Sequence, residues 1–325
     1  MKTINIIATT ISGSIKDWKK IGLIQEEFEK FYPGKIEVFI VDSHKDARDK
    51  ANELVHRKEL IIVSAGGSGT FNSILEGCRM PGGYPDNLRL AFLRKGSADL
   101  LGKVLNIPDK LSEAANIMVN SIMQDKTIES DVIELNIDDK NYHFIGFGGV
   151  GVFGIVPYFT ESKIKKYYKG ILSYLFGDRG PFLFGVNLAI FKFYIQKFIR
   201  KSRFNITADG INITDGKYAN IIIMNGDLGK DFPIAEGMPL ATGDFQVFLL
   251  KDFGLINTYR QLVHAWKGDL DMYKDKLGLQ IFRTKKLTIS SKKPDKYMVN
   301  VDGLLVQTGN QIKYKISDRL KLITG

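Results

Sequence analysis

Along the first third of the chain, short apolar runs alternate with amphipathic stretches. Thr3–Ala8, Ile36–Val41, Leu60–Ser64 and Leu88–Leu93 are brief and almost wholly apolar, as strands covered on both faces are. Lys16–Phe31, Lys45–Lys58 and Lys110–Ser121 instead carry apolar residues at helical spacing. Strand and helix in regular alternation predict a parallel sheet flanked by helices. From about Thr127 the pattern changes. Asp131–Ile137, Tyr142–Gly146, Phe204–Ala208, Ile211–Thr214, Ala219–Met224, Gln246–Leu250, Leu287–Ser291 and Met298–Val301 are rich in β-branched and aromatic residues, with turn signals at Asp138-Asp139, Asp209-Gly210 and Asp215-Gly216. The expected fold class is an α/β unit with a parallel sheet over residues 1–126, followed by a mostly β unit over 127–312. Helices are expected to interrupt the second unit at about Thr160–Phe176, Phe182–Arg200 and Leu255–Ala265.

Length and composition fit this picture: 325 residues suit two domains, and 44% hydrophobic with 25% charged residues is ordinary for folded proteins. Cys78 is the only cysteine, which excludes an intrachain disulfide and a thiolate zinc cluster and suits a reducing cytoplasm. His44, His56, His143 and His264 are scattered singly, without metal-ligand spacing. The apolar run near Met1 is too brief for a signal peptide, and Phe182–Ile199 is broken by Asn187, Lys192, Gln196 and Lys197, so no membrane span is expected. The net charge of +10 points to an anionic partner.

The sharpest local feature is Gly66-Gly67-Ser68-Gly69-Thr70, directly after the apolar run Leu60–Ser64 and before a helix with Phe71, Ile74, Leu75 and Cys78 on one side. Glycines let a backbone approach phosphate closely, successive N–H groups make an anion-binding concavity, and a helix N-terminus adds positive potential. The same turn also suits a tight strand-to-helix connection that binds nothing. No Walker A pattern is present. Gly146-Phe147-Gly148-Gly149-Val150-Gly151 satisfies G-x-G-x-x-G, but no acidic residue stands about 20 positions on, as dinucleotide binding requires.

Taken with its neighbours, the loop resembles the GGDGT hallmark of the diacylglycerol kinase and sphingosine kinase type of lipid kinases, distant relatives of NAD kinases. Here the hallmark reads Gly66-Gly67-Ser68-Gly69-Thr70-Phe71-Asn72, and a GTGNDFAR-type loop is similar to Gly96-Ser97-Ala98-Asp99-Leu100-Leu101-Gly102-Lys103, followed by Leu105-Asn106-Ile107-Pro108. Ser12-Gly13 resembles the family's phosphate-side serine loop, and Ser43 falls where the family has a Thr near the adenine. Lys169-Gly170 to Leu175, Asn225-Gly226 and Val301-Asp302-Gly303 are similar to later family elements, the last to its DGE motif. The resemblance implies an α/β nucleotide-binding domain, a C-terminal β-sandwich with a lipid pocket, and a final strand, Lys313–Ile323 within 313–325, returning to the first domain. It further implies ATP as phosphoryl donor, Mg²⁺ brought through the nucleotide, and a lipid hydroxyl as acceptor. Nucleotide contacts would come from Ser12, Gly13, Ser43, Gly66, Gly67, Ser68, Gly69, Thr70, Asn72, Gly96, Ser97 and Asp99, with Arg94 and Lys95 as cations beside the second loop where the family has Pro-Leu. Asp302 is the candidate general base, although Asp-Gly is also plain turn chemistry.

The chain departs from the pattern at acidic positions. Ser68 replaces the GGDGT aspartate, Leu304 the glutamate of DGE, and Leu240–Gln246 lacks the carboxylates of the family's D-x-x-D-G-x-x-D stretch, with Asp244 offset. Metal ligands on the protein are therefore left unassigned. Two further readings follow: a catalytically inactive relative that binds nucleotide or lipid as a sensor or carrier, and a soluble-substrate kinase of the NAD kinase type.

Ten cations and one carboxylate lie between Lys163 and Arg203, nine of the chain's ten net charges, interleaved with aromatics. Phe191, Tyr194, Ile195 and Phe198 share a helical face that ends at Lys197, Arg200 and Lys201. Such a stretch predicts contact with an anionic membrane surface through Lys192, Lys197, Arg200 and Lys201, or else a core-facing helix with solvated charges. No nucleic-acid-binding signature accompanies the charge. The expected location is cytoplasmic and peripheral to a membrane, and the sequence leaves a homo-oligomer open.

Overall fold

The Ile4–Thr9 run forms β1, buried at every position, as the centre of a doubly covered parallel sheet must be. The protein is described here by a computed structural model covering residues 2–10, 18–93, 100–160, 179–199, 203–291, 297–307 and 311–325. After β1 come α1 (Trp18–Glu29), β2 (Ile36–Val41), α2 (His44–His56), β3 (Ile61–Ala65), α3 (Ser68–Gly77), β4 (Arg89–Leu93), α4 (Leu100–Val104) and α5 (Leu111–Met123). The four strands pair in parallel in the order β2-β1-β3-β4. Chain order across the sheet reverses at β1, and in such sheets ligands usually sit beyond the carboxyl ends of the strands at that point, here β1 and β3.

Local signals set these helices. Ser43 caps α2 by accepting from the Asp46 N–H at 3.0 Å, and Ala47, Ala51, Leu54 and Val55 form its buried face. α2 packs on α3 so closely that a Cβ at Gly77 would lie 2.2 Å from the Arg48 carbonyl oxygen. Because that neighbour is backbone, Gly77→Ala should cost about 1–3 kcal/mol, read as a lowered denaturant midpoint with an unchanged slope.

The second half supplies β5 (Thr127–Ile137), β6 (Lys140–Phe144), β7 (Phe147–Gly151), α6 (Val152–Thr160), α7 (Arg179–Ile199), β8 (Phe204–Ala208), β9 (Ile211–Gly216) and β10 (Tyr218–Met224). β11 (Phe245–Lys251), α8 (Leu255–Lys267), β12 (Leu279–Thr284), β13 (Lys286–Ser291), β14 (Met298–Val301), β15 (Leu304–Gln307) and β16 (Gln311–Ile323) follow. Six strands form an antiparallel sheet in the order β12-β11-β10-β7-β14-β15. Its inner face, with Val150, Ile221, Ile223, Val247, Val299 and Val301, packs on Ile133, Leu135, Ile206, Leu287, Ile289 and Tyr314 of the opposing sheet. The C-terminal half is thus a β-sandwich.

Its second sheet is not separate. β16 pairs antiparallel with β5 along its length and with β13, then continues far enough to pair in parallel with β4 at Lys321 and Leu322. One ten-stranded sheet therefore runs from the α/β layer into the sandwich. Local periodicity gave no sign of this join; only the family resemblance implied that the final strand, Lys313–Ile323, returns to the first domain. The helix expected over 160–176 lies outside the described residues beyond Thr160. β12 and β15 were not anticipated, and the Gly146–Gly151 run proves to be mostly strand β7. Its glycines serve pairing: a Cβ at Gly151, at φ +88°, would meet the Ala219 carbonyl oxygen at 2.1 Å.

Candidate active site

The glycine turn follows the carboxyl end of β3, at the reversal point of the sheet. Gly67 is the N-cap of α3 at φ −86°, ψ −176°, and without a side chain it cannot cap the helix's first N–H groups. Thr70 is buried, with its Oγ1 3.0 Å from Thr9 Oγ1 at the end of β1. A Cβ at Gly66 would fall 2.4 Å from Thr70, so the turn is closed against its own helix. Asn72 is 5% exposed, and neither atom of its amide has a hydrogen-bond partner; Ser64 Oγ, at the end of β3, is likewise buried and unpartnered. Orphaned polar groups on both sides of a glycine turn favour a polar ligand over a bare connection.

His44 is the residue that sequence reasoning missed. Its ring edge lies against the turn, and a Cβ at Gly69 would stand 3.0 Å from His44 Cε1. Partial desolvation there holds the imidazole below its ordinary pKa. A single histidine far from the turn in sequence gave no signal. Ser43, beside it, spends its hydroxyl on Asp46, to which it donates at 2.6 Å. Ser12, Gly13, Arg94, Lys95, Gly96, Ser97 and Asp99 lie outside the described residues.

Asp302 and Gly303 form the two-residue turn between β14 and β15, both at positive φ, +47° and +85°. This is the type I′ pattern that Asp-Gly favours. The turn also aims the carboxylate inward: Asp302 Oδ1 accepts from the Phe147 N–H at 2.7 Å, and Oδ2 from the N–H groups of Ile145 and Gly146 at 3.2 and 3.3 Å. Burial pushes the carboxyl up to about 6, against the downward pull of those three donors. A carboxylate has roughly four acceptor positions, so about one remains for an outside hydroxyl. The tip of this hairpin reaches the glycine turn: a Cβ at Gly303 would lie 3.3 Å from Ser68 Oγ. The fold thereby brings Ser68 and the Asp302 turn together.

Asn225 ties the site to the sandwich. Fully buried, its Nδ2 lies within 3.2 Å of Ser130 Oγ and the carbonyl oxygens of Asp131 and Ile145, so it fixes the segment that supplies N–H groups to Asp302. Asn225→Ala should strand these acceptors and cost about 2–4 kcal/mol in denaturant unfolding.

No group of three or more His, Cys, Asp or Glu gathers among the described residues as a metal site would require. Asp244 pairs with Arg283, and Asp131 accepts from Arg319 at 2.9 Å and from the Gly243 N–H. These carboxylates are committed to structure.

The expected membrane face also changes. Lys192 is half-buried with its Nζ 3.5 Å from the centre of the Tyr158 ring, and burial lowers its pKa, so it is not the free surface cation expected. Tyr194 turns inward, its hydroxyl 2.8 Å from Thr258 Oγ1, whereas Phe191 and Ile195 remain exposed. Arg200 and Lys201, with the side chain of Lys197, lie outside the described residues.

Residues 3–135 match the family model of the diacylglycerol kinase catalytic domain. Over that stretch the chain is similar to the catalytic domain of diacylglycerol kinases. It is 25% identical to a diacylglycerol kinase of Staphylococcus haemolyticus over 139 residues, 43% of this chain and 39% of that protein. It is 26% identical to one of Staphylococcus aureus over 132 residues, 41% and 38% of the two chains. The match thus spans about two-fifths of these relatives' length. A crystal structure of a Bacillus anthracis diacylglycerol kinase aligns over 100% of this chain and 97% of its own, with a TM-score of 0.58 at 16% identity. Another crystal structure from that organism, of a provisionally named diacylglycerol kinase, gives 0.63 at 17% with the same coverage. These likenesses establish the two-part fold. The family match contains the glycine turn but not Asp302.

Proposed function

We propose that this chain is an ATP-dependent lipid kinase, transferring the γ-phosphoryl group to a hydroxyl of a diacylglycerol-like or long-chain-base lipid. The observation that supports the reading is the meeting of Gly303 with Ser68, beside the half-buried carboxylate of Asp302. The N–H groups of Ser68 and Gly69 at the head of α3 would hold phosphate oxygens, with the neutral His44 ring packed alongside. The lipid oxygen attacks phosphorus, the bond to the β,γ-bridging oxygen breaks, ADP leaves, and the hydroxyl proton passes to Asp302. With a pKa of about 6, Asp302 is mostly ionised at neutral pH and able to accept it. The described side chains do not assemble a Mg²⁺ site, so the ion would arrive through the nucleotide's phosphates, and no step is assigned to it. The lipid substrate implies work at a membrane surface, approached from the cytoplasm.

A second reading, binding without transfer, is favoured by Ser68, which cannot neutralise charge as the family's aspartate does. Radiolabelled ATP offered with a panel of diacylglycerols and long-chain bases tests the two. Label recovered in lipid supports the kinase. Nucleotide binding with no labelled lipid leaves the sensor or carrier.

A further inference from the structure

Helix α8 is turned inside out. Ile256, Tyr259, Val263 and Trp266 recur at helical spacing, the pattern of a core face, yet they are 73%, 37%, 47% and 44% exposed. The residues α8 buries are polar: Thr258 and Gln261 are 2% and 1% exposed. Gln261 Nε2 stands 2.8 Å from the carbonyl oxygens of Lys251 and Leu277, and Thr258 meets Tyr194 of α7, so this orientation is fixed by bonds inside the fold. α7 lies alongside, joined by the Tyr259 hydroxyl donating to Asn187 Oδ1 at 2.7 Å and by the Phe182 and Trp266 rings at 6.0 Å. It adds its own exposed stripe of Phe184, Phe191 and Ile195.

Charge selects the occupant. α8 carries Arg260 and Lys267, both exposed, and no Asp or Glu. Exposed apolar residues with Trp and Tyr, carried on a helix whose own charged side chains are Arg260 and Lys267, complement an anionic bilayer interface. A second copy of the chain would bring like charges together.

We infer that α8 is the element that inserts into the membrane: Ile256, Tyr259, Val263 and Trp266 enter the headgroup boundary while Arg260 and Lys267 meet anionic headgroups. The inference rests on the lipid-substrate reading for the reason a membrane is met at all. It moves the principal contact from the basic segment to α8.

Trp266 reports on it directly. The chain has two tryptophans, so Trp18→Phe leaves Trp266 as the only one. Vesicles of phosphatidylglycerol and phosphatidylcholine should shift its emission to the blue, with quenching by acyl-brominated lipid, and pure phosphatidylcholine should do so less. Ile256→Ser with Val263→Ser should reduce partitioning about tenfold, while phosphorylation of a dispersed short-chain diacylglycerol stays unchanged. Vesicle binding that leaves Trp266 unshifted would place the membrane contact elsewhere and overturn the inference. A Trp266 already shifted without vesicles, in a dimer seen by sedimentation, would make the occupant a second copy. If Trp266 inserts but no lipid is ever phosphorylated, the kinase reading fails and the membrane role of α8 stands.

Discussion

Asp302→Asn should lower turnover by a factor on the order of 10² or more while leaving nucleotide affinity within a few-fold. A general base acts on the proton released in the transition state, not on ATP docking. Single-turnover phosphorylation and calorimetric ATP titration separate the two effects. Wild-type turnover should also rise with pH through a midpoint near 6, where the carboxyl ionises, and the variant should lose that limb. Stability moves the opposite way. The folded-state value of about 6 lies above the ordinary 3.8, so protonated Asp302 favours the fold. That contribution is full below about 4 and is lost as pH rises through about 6. Urea midpoints at acid and neutral pH should therefore differ less in Asp302→Asn than in the wild type. Undiminished turnover in the variant would move the base elsewhere and leave Asp302 as a turn residue.

Gly67→Val should abolish most nucleotide binding, a loss of about 10²-fold, or roughly 2.7 kcal/mol. The position separates ligand from fold. At φ −86°, ψ −176° Gly67 is in extended backbone that valine adopts readily, so the fold should lose only about 1 kcal/mol at this N-cap. The branched side chain would instead stand at the head of α3, beside the first-turn backbone. Gly66→Ala offers the contrast, since its Cβ would press at 2.4 Å on a buried threonine and disturb the turn itself. Unchanged ATP affinity by calorimetry in a folded Gly67→Val protein would put the nucleotide elsewhere.

What was legible in the sequence is what local chemistry controls. Ile4–Thr9 and Ile61–Ala65 read as buried parallel strands because both faces are covered and their side chains are apolar throughout. Gly66–Thr70 read as a glycine turn from strand into helix, and a Cβ at Gly66 would press on the Thr70 side chain. The alternation of strand with helix, then of strand with turn, gave the two-part fold class. Asp302-Gly303 read as a turn, and its φ values bear that out.

What tertiary structure decided depends on groups far apart in the chain. Ser68 and Gly303 are neighbours only because β14 and β15 project their hairpin toward the head of α3, and no periodicity encodes a contact across more than 200 positions. The same holds for the pKa of Asp302, set by burial and by N–H groups of residues 145–147. β16 joins two sheets because its length exceeds what the sandwich uses, and its tail pairs with β4. Helix α8 is the sharpest case. Its apolar stripe specifies an amphipathic helix but not which face turns inward. That choice fell to Thr258 and Gln261, whose buried hydrogen bonds to Tyr194, Lys251 and Leu277 exist only once α7, β11 and the Leu277 turn are in place.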